Sequence, residues 1–187
     1  MVKGKIYHIY GNEIGSILGV NKNKNIMEVY LEKLQKKIKN QENIKKEHEA
    51  MYWVNTLKEI MCKEFTIRSG RKVRKEFNAL VDEEYDFMKC KVDRRIVGEN
   101  SILLCNLENE VNISNELNKN ILLECQHNMR VAKAEKCYVA SLINNERFIF
   151  KEIVRDENLI NKIIKEEKDF INNHILKEIP PGHGQVI

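Results

Sequence analysis

VDRRIVGENSILLCNLENEV, residues 92–111, reads as two short extended runs joined by a tight turn at Gly98-Glu99-Asn100. Asp93 is the one carboxylate at the first run, and Leu104 and Asn106 stand two apart on the second, on the same face of a strand. Upstream, further strands are predicted over about 71–81 and 87–97, separated by DEEYD at 82–86. They follow a long helix over about 44–69 that stops at Gly70 and turns Met51, Leu57, Ile60, Met61 and Phe65 inward, with Trp53 as a core anchor.

The N-terminal part predicts a short helix EIGSILG, capped by Asn12 and ended by Gly19. After VNKNKN, apolar positions Ile26, Val29, Tyr30 and Leu34 recur at helical spacing. Downstream of the hairpin, a second major helix begins near Ser114 and reaches Val131, with Glu116 favouring its first turn. The strands KCYVASLI and ERFIFKEIV flank Asn144-Asn145, a pair suited to a two-residue turn. A last helix spans about 156–176, and EIPPGHGQVI forbids regular continuation, giving a flexible tail over about 180–187. This order predicts one α/β domain over 1–187, a central mixed sheet flanked by helices on both faces.

Composition excludes several classes. With 42% hydrophobic and 32% charged residues the chain is an ordinary globular protein. It shows neither the apolar run of a membrane span nor that of a secretory signal, so a cytoplasmic location is expected. Cys62, Cys90, Cys105, Cys125 and Cys137 form no C-x-x-C pair and read as buried free thiols. His48, His127 and His174 lack metal-ligand spacing, and Cys125 and His127 face different directions on a helix. The net charge of +4 is mild. EKLQKKIKNQENIKKE and RSGRKVRK concentrate Lys and Arg, either as a solvated helix face and basic turn or as a surface that follows phosphates.

Five blocks in order, GNEIGSILGVNKNKNIMEVYLEK, HEAMYWVNTLKE, MKCKVDRRIVGENSILL, ECQHNMRVAKAEKCYVASLI and FINNHILKEIPPG, resemble the YqaJ-like viral recombinase family. That family is related to the lambda-type phage exonuclease and has the PD-(D/E)XK nuclease fold. The resemblance runs from about residue 9 to 182. It implies a site built from a helix Glu preceded by W-G-x-x-L, an Asp, Glu-x-Lys on the next strand and Gln-x-Gln on a helix. Such carboxylates hold Mg²⁺, and the Lys orients the attacking water.

Carried onto this chain, the family Gly and Glu fall at Val54 and Lys58, and Asp93 matches the Asp. Leu104 and Asn106 stand for Glu and Lys, and Glu124 and Gln126 for the two glutamines. Leu104 cannot ligate a cation, and Lys58 puts an ammonium where a carboxylate belongs, poised to pair with Asp93 as a stand-in for the ion. The expectation is a pseudonuclease with no metal or other cofactor. The alternative is a residual Mg²⁺-dependent recombination exonuclease whose site is rebuilt from Asp93 and Glu124. Glu59 points about 100° away from Lys58 on the helix and cannot substitute, and Glu108 and Glu110 are expected in loop.

Fold does not carry function, so the remaining expectations concern binding. Asn12, Lys22, Lys24, Arg71, Lys72 and Arg74 are the candidate DNA contacts. The helix opening at GNE is one of them, as a backbone anion site implied by the resemblance. The partners expected are DNA, a host or phage protein, or further copies of the chain. The roles are a DNA-binding accessory protein, a phage anti-defence inhibitor of anti-CRISPR type, or a regulatory subunit of an active exonuclease.

Overall fold

A computed structural model describes residues 7–34, 41–108 and 118–182, and the side chains of 41–47 lie outside that description. In chain order the elements are β1 (Ile9–Tyr10), a 3-10 turn (Gly11–Glu13), α1 (Ile14–Ile17), α2 (Ile26–Lys33), α3 (Gln41–Ser69), β2 (Val73–Arg74), β3 (Leu80–Val81), β4 (Met88–Cys90), β5 (Arg94–Ile96) and β6 (Ser101–Glu108). Then come α4 (Lys119–Ala132), β7 (Lys136–Ile143), β8 (Arg147–Val154), α5 (Glu157–Asp169) and a π-helical turn (Phe170–Ile175). No described helix is long and apolar enough to cross a membrane.

The main sheet has the order β2-β5-β6-β7-β8, with β6 and β7 parallel and the other neighbours antiparallel. The helix between the two parallel strands is α4, the crossover that parallel pairing requires. The predicted hairpin is present: Arg94 faces Leu103, Arg95 faces Ile102, and Gly98 takes φ 83° in the turn. At the other hairpin Asn144 and Asn145 both take positive φ, the conformation that a two-residue turn between twisted strands demands.

Side-chain alternation on β6 and β7 separates two cores. Ile102, Leu104, Cys137 and Val139 face α4 and α5, against Ile121, Cys125, Met129, Ile160 and Ile164. Leu103, Cys105, Tyr138 and Ala140 face α3, against Met61, Cys62 and Phe65. Phe65 is fully buried and packs edge-on against Phe150, so its burial contributes about 2–3 kcal/mol. A third core beneath α1, α2 and the π-helical turn joins Ile9, Ile14, Val29, Tyr30, Phe170 and Ile175.

Several expectations are corrected here. The predicted strands 71–81 and 87–97 are each broken in two, and their halves divide between the main sheet and a small sheet of order β1-β4-β3. Met51 and Ile60 are exposed, and Trp53, 55% exposed, anchors no core. The inward face of α3 is instead Met61, Cys62 and Phe65. Glu108 is the last residue of β6 rather than loop. Asn12 does not cap the first helix: it lies exposed within the 3-10 turn, and the N–H of Tyr10 donates to Glu13 Oε2 at 2.9 Å. Gly19 ends this segment with φ 70°, as read. Ser114, Glu116 and Glu110 fall outside the described residues, as do most of the lysine-rich segment and the end of the tail. The described part of α4 opens at Lys119, capped by Asn118.

Candidate functional site

The inward stripe of α3 continues backward by helical spacing from Phe65, Cys62 and Met61 to Lys58. A lysine therefore stands on the face that packs against the sheet. Its Nζ reaches Asp93, in the bend just before β5, donating to Oδ1 at 3.0 Å and Oδ2 at 3.1 Å. Asp93 Oδ2 also accepts the backbone N–H of Cys105 at 2.7 Å, so the carboxylate extends the β5–β6 ladder past its last residue pair. The pair is only partly open to solvent, 29% for the Lys58 side chain and 15% for Asp93. Burial by itself would depress the Lys58 pKa, but the adjoining Asp93 carboxylate more than offsets it and the ammonium is held.

Glu124, on α4, lies close enough to feel both charges. Burial, the largest cause, raises its carboxyl pKa; Lys58 opposes this and the like charge of Asp93 reinforces it. A Cβ on Gly11 would meet Glu124 Cγ at 3.0 Å and Asn128 Oδ1 at 2.6 Å, and one on Gly15 would meet Asn120 Oδ1 at 2.1 Å. These two glycines let the polar stripe Asn120, Glu124 and Asn128 of α4 approach the N-terminal segment at backbone distance.

The other predicted positions separate from this centre. Leu104 is buried in the apolar layer beneath α4. Asn106 Nδ2 donates to Glu108 Oε1 at 2.8 Å along its own strand. Gln126 is a structural staple: its Nε2 donates to the Val154 carbonyl and its Oε1 accepts the Asp156 N–H, both at 2.9 Å. Glu59 is turned outward, bridging Arg94 and Lys75.

The donor set does not fit Mg²⁺. A hard divalent ion wants several carboxylate oxygens, and here both oxygens of Asp93 are engaged by an ammonium. Among the described residues no three His, Cys, Asp or Glu side chains converge as a metal cage would need.

Of the candidate DNA contacts, Arg71 is committed to Glu99 at 3.0 Å and to the Tyr138 ring at 4.7 Å, and Lys24 to Glu32 at 2.5 Å. Lys22, Lys72 and Arg74 are exposed. Arg74 lies on the edge strand β2, opposite Arg95 of β5, the strand that follows Asp93. At GNE the Glu13 carboxylate folds back onto the Tyr10 N–H that precedes the turn and also accepts from Lys33 Nζ at 2.6 Å, so a negative charge of the chain itself already stands at the turn's start.

Sequence reading missed the most buried charge pair. His127 Nδ1 and Glu167 Oε1 meet at 2.7 Å with essentially no exposure, and His127 Nε2 contacts the Lys89 carbonyl at 3.0 Å. Glu167 Oε2 is buried without a partner. Nothing in the local sequence signals this pairing across 40 residues.

This sheet, with α3 on one face and α4 and α5 on the other and the Lys58–Asp93 pair beside α3, defines a nuclease-like α/β domain. Its solved likenesses agree. An alkaline exonuclease, LHK-Exo, from Laribacter hongkongensis superposes with TM-score 0.67 at 12% identity, covering 94% of this chain and 91% of that one. A phage-related exonuclease from Haemophilus somnus 129PT gives 0.65 at 12%, covering 94% and 96%. Residues 7–135 match the YqaJ-like viral recombinase domain, and the chain belongs to that family. It is 38% identical over 175 residues to the uncharacterized protein YqaJ of Bacillus subtilis (strain 168), covering 90% of this chain and spanning 53% of that relative's length.

Proposed function

We propose that this chain acts by binding rather than by cutting, as a member of the exonuclease-like fold whose metal centre has been replaced by an internal ion pair. The Lys58–Asp93 contact carries this reading, because it neutralises the remaining site carboxylate within the chain. Leu104 and Asn106 put neither a carboxylate nor a cation at the two strand positions where the family resemblance would place Glu and Lys. DNA is the ligand favoured by the kinship, since LHK-Exo and the phage-related protein of Haemophilus somnus are exonucleases and LHK-Exo has been crystallised with dAMP. Lys22, Lys72 and Arg74 would then track phosphates, a contribution that salt weakens.

The test is incubation with linear duplex DNA and Mg²⁺ or Mn²⁺, followed by a gel-shift series across ionic strength. The expected result is a salt-sensitive complex with no strand loss. Progressive degradation abolished by Asp93→Ala would establish instead the active exonuclease with a rebuilt Asp93 and Glu124 site. Absence of any shift at low salt would remove the DNA reading.

A second reading rests on a separate observation. Met51, Tyr52 and Trp53 stand exposed in succession on α3, which suits a protein partner such as a host defence factor of the kind that anti-CRISPR inhibitors target. Capture of one defined partner from nuclease-treated host lysate, lost on Trp53→Ala, is the outcome expected of that role.

A further inference from the structure

Cys62 on α3 and Cys105 on β6 bring their sulfurs within 3.6 Å, and both are free thiols. The pair adjoins the ion pair on both sides. Cys62 lies one helical turn after Lys58, Cys105 Sγ is 4.0 Å from the Lys58 carbonyl, and the Cys105 N–H holds Asp93. We propose that these two thiols form a redox-sensitive latch, in which oxidation by a peroxide joins Cys62 to Cys105 and fixes α3 against β6 across the Lys58–Asp93 contact.

A disulfide needs the sulfurs to close to about 2.05 Å, a movement of side-chain size when one partner sits on a helix face and the other on the strand beneath it. The remaining thiols compete poorly. The Cys90 Sγ contacts the Asn128 carbonyl rather than another sulfur. Cys125 and Cys137 neighbour each other but are fully closed to solvent, whereas Cys62 and Cys105 each retain 3% exposure beside the partly open ion pair.

The chemistry balances with hydrogen peroxide as oxidant. One thiolate attacks a peroxide oxygen, an S–O bond forms, the O–O bond breaks, and water departs with the thiol proton. The second thiol then attacks the sulfenic sulfur, the S–S bond forms, and the hydroxyl leaves as a second water. Two thiols lose two electrons and the peroxide gains them. This latch is independent of whether the chain binds DNA or protein.

The test treats the purified full chain with graded hydrogen peroxide, alkylates the remaining thiols under denaturing conditions, and maps non-reduced peptides by mass spectrometry. The expected result is a Cys62–Cys105 cross-linked peptide at the lowest effective dose, with the other three of the five cysteines alkylated. Dithiothreitol should reverse the link, and the oxidised form should resist tryptic cleavage at Lys58 and Lys63. Cys62→Ala should abolish the cross-link while leaving Cys125 and Cys137 alkylatable. Three results overturn the proposal: a Cys125–Cys137 link appearing first, over-oxidation at Cys62 without a cross-link, or no thiol loss before unfolding. The wild-type map decides among them even if the variant does not fold.

Discussion

Lys58 Nζ sits between the two oxygens of Asp93, at 3.0 and 3.1 Å, as a bound cation would. Removing only the ammonium strands a half-buried carboxylate. Lys58→Ala should therefore destabilise the domain by about 1–3 kcal/mol, read from urea titration. Lys58→Met combined with Asp93→Asn should cost less than the sum of the single changes, because neither charge is then left alone.

Charge reversal at the same position makes the complementary prediction. Lys58→Glu places a third carboxylate beside Asp93 and Glu124, so the apo variant should melt well below wild type. Millimolar Mn²⁺ should raise its melting midpoint while leaving that of wild type unchanged. An equal rise in both proteins would show that the native residues already hold the ion.

The buried His127–Glu167 pair predicts a pH dependence. Burial lowers the His127 pKa, but Glu167 and the Lys89 carbonyl outweigh it, so the folded value is raised. Burial raises Glu167, partly offset by His127 and reinforced by Glu13 and Asp82. Glu124, facing His127 from the preceding turn of α4, is raised as well. All three groups bind protons more tightly in the folded state. Their stabilising contribution is full below their unfolded pKa values and is lost as pH rises: from about 4.5 upward for the carboxyls and about 6.5 upward for the imidazole. Between pH 5 and 8 the wild-type melting midpoint should fall more steeply than that of the double variant His127→Gln with Glu167→Gln, in which neither partner titrates. Parallel slopes would show that the pair is not linked to folding.

Gly15 offers a steric test. Gly15→Ala pushes a methyl to 2.1 Å from Asn120 Oδ1, an overlap that should cost about 1–3 kcal/mol. Asn120→Ala should recover much of that loss in the double variant, since it removes both the obstruction and a buried oxygen that has no hydrogen-bond partner. Thermal melts of the four proteins complete the cycle.

Gln126 separates architecture from chemistry. Gln126→Ala breaks its bonds to the Val154 carbonyl and the Asp156 N–H and should cost about 1–2 kcal/mol, through the loss of two hydrogen bonds from a buried side chain. DNA affinity measured on the folded fraction should be unaffected.

The parts of the fold that were legible in sequence are those where one local rule decides. β7 follows KCYVASLI residue for residue because a short, nearly continuous apolar run, buried on both faces, ends at the Asn144-Asn145 turn. The α3 face was not legible. Leu57, Ile60 and Met61 suggest one apolar stripe, whereas the sheet selects the stripe carrying Met61, Cys62 and Phe65 and thereby draws Lys58 inward. The split of the strands into two sheets is invisible because a period of two looks the same on either side of a break. At the site, Lys58 opposite Asp93 was anticipated from the family blocks, while His127 with Glu167 depends on long-range packing that no short motif encodes.

The cation that Asp93 meets is covalently part of its own chain. It cannot be chelated away or lost when the surrounding medium is poor in magnesium. Dialysis against a chelator therefore leaves this contact in place, because the ammonium is tethered through the backbone of α3.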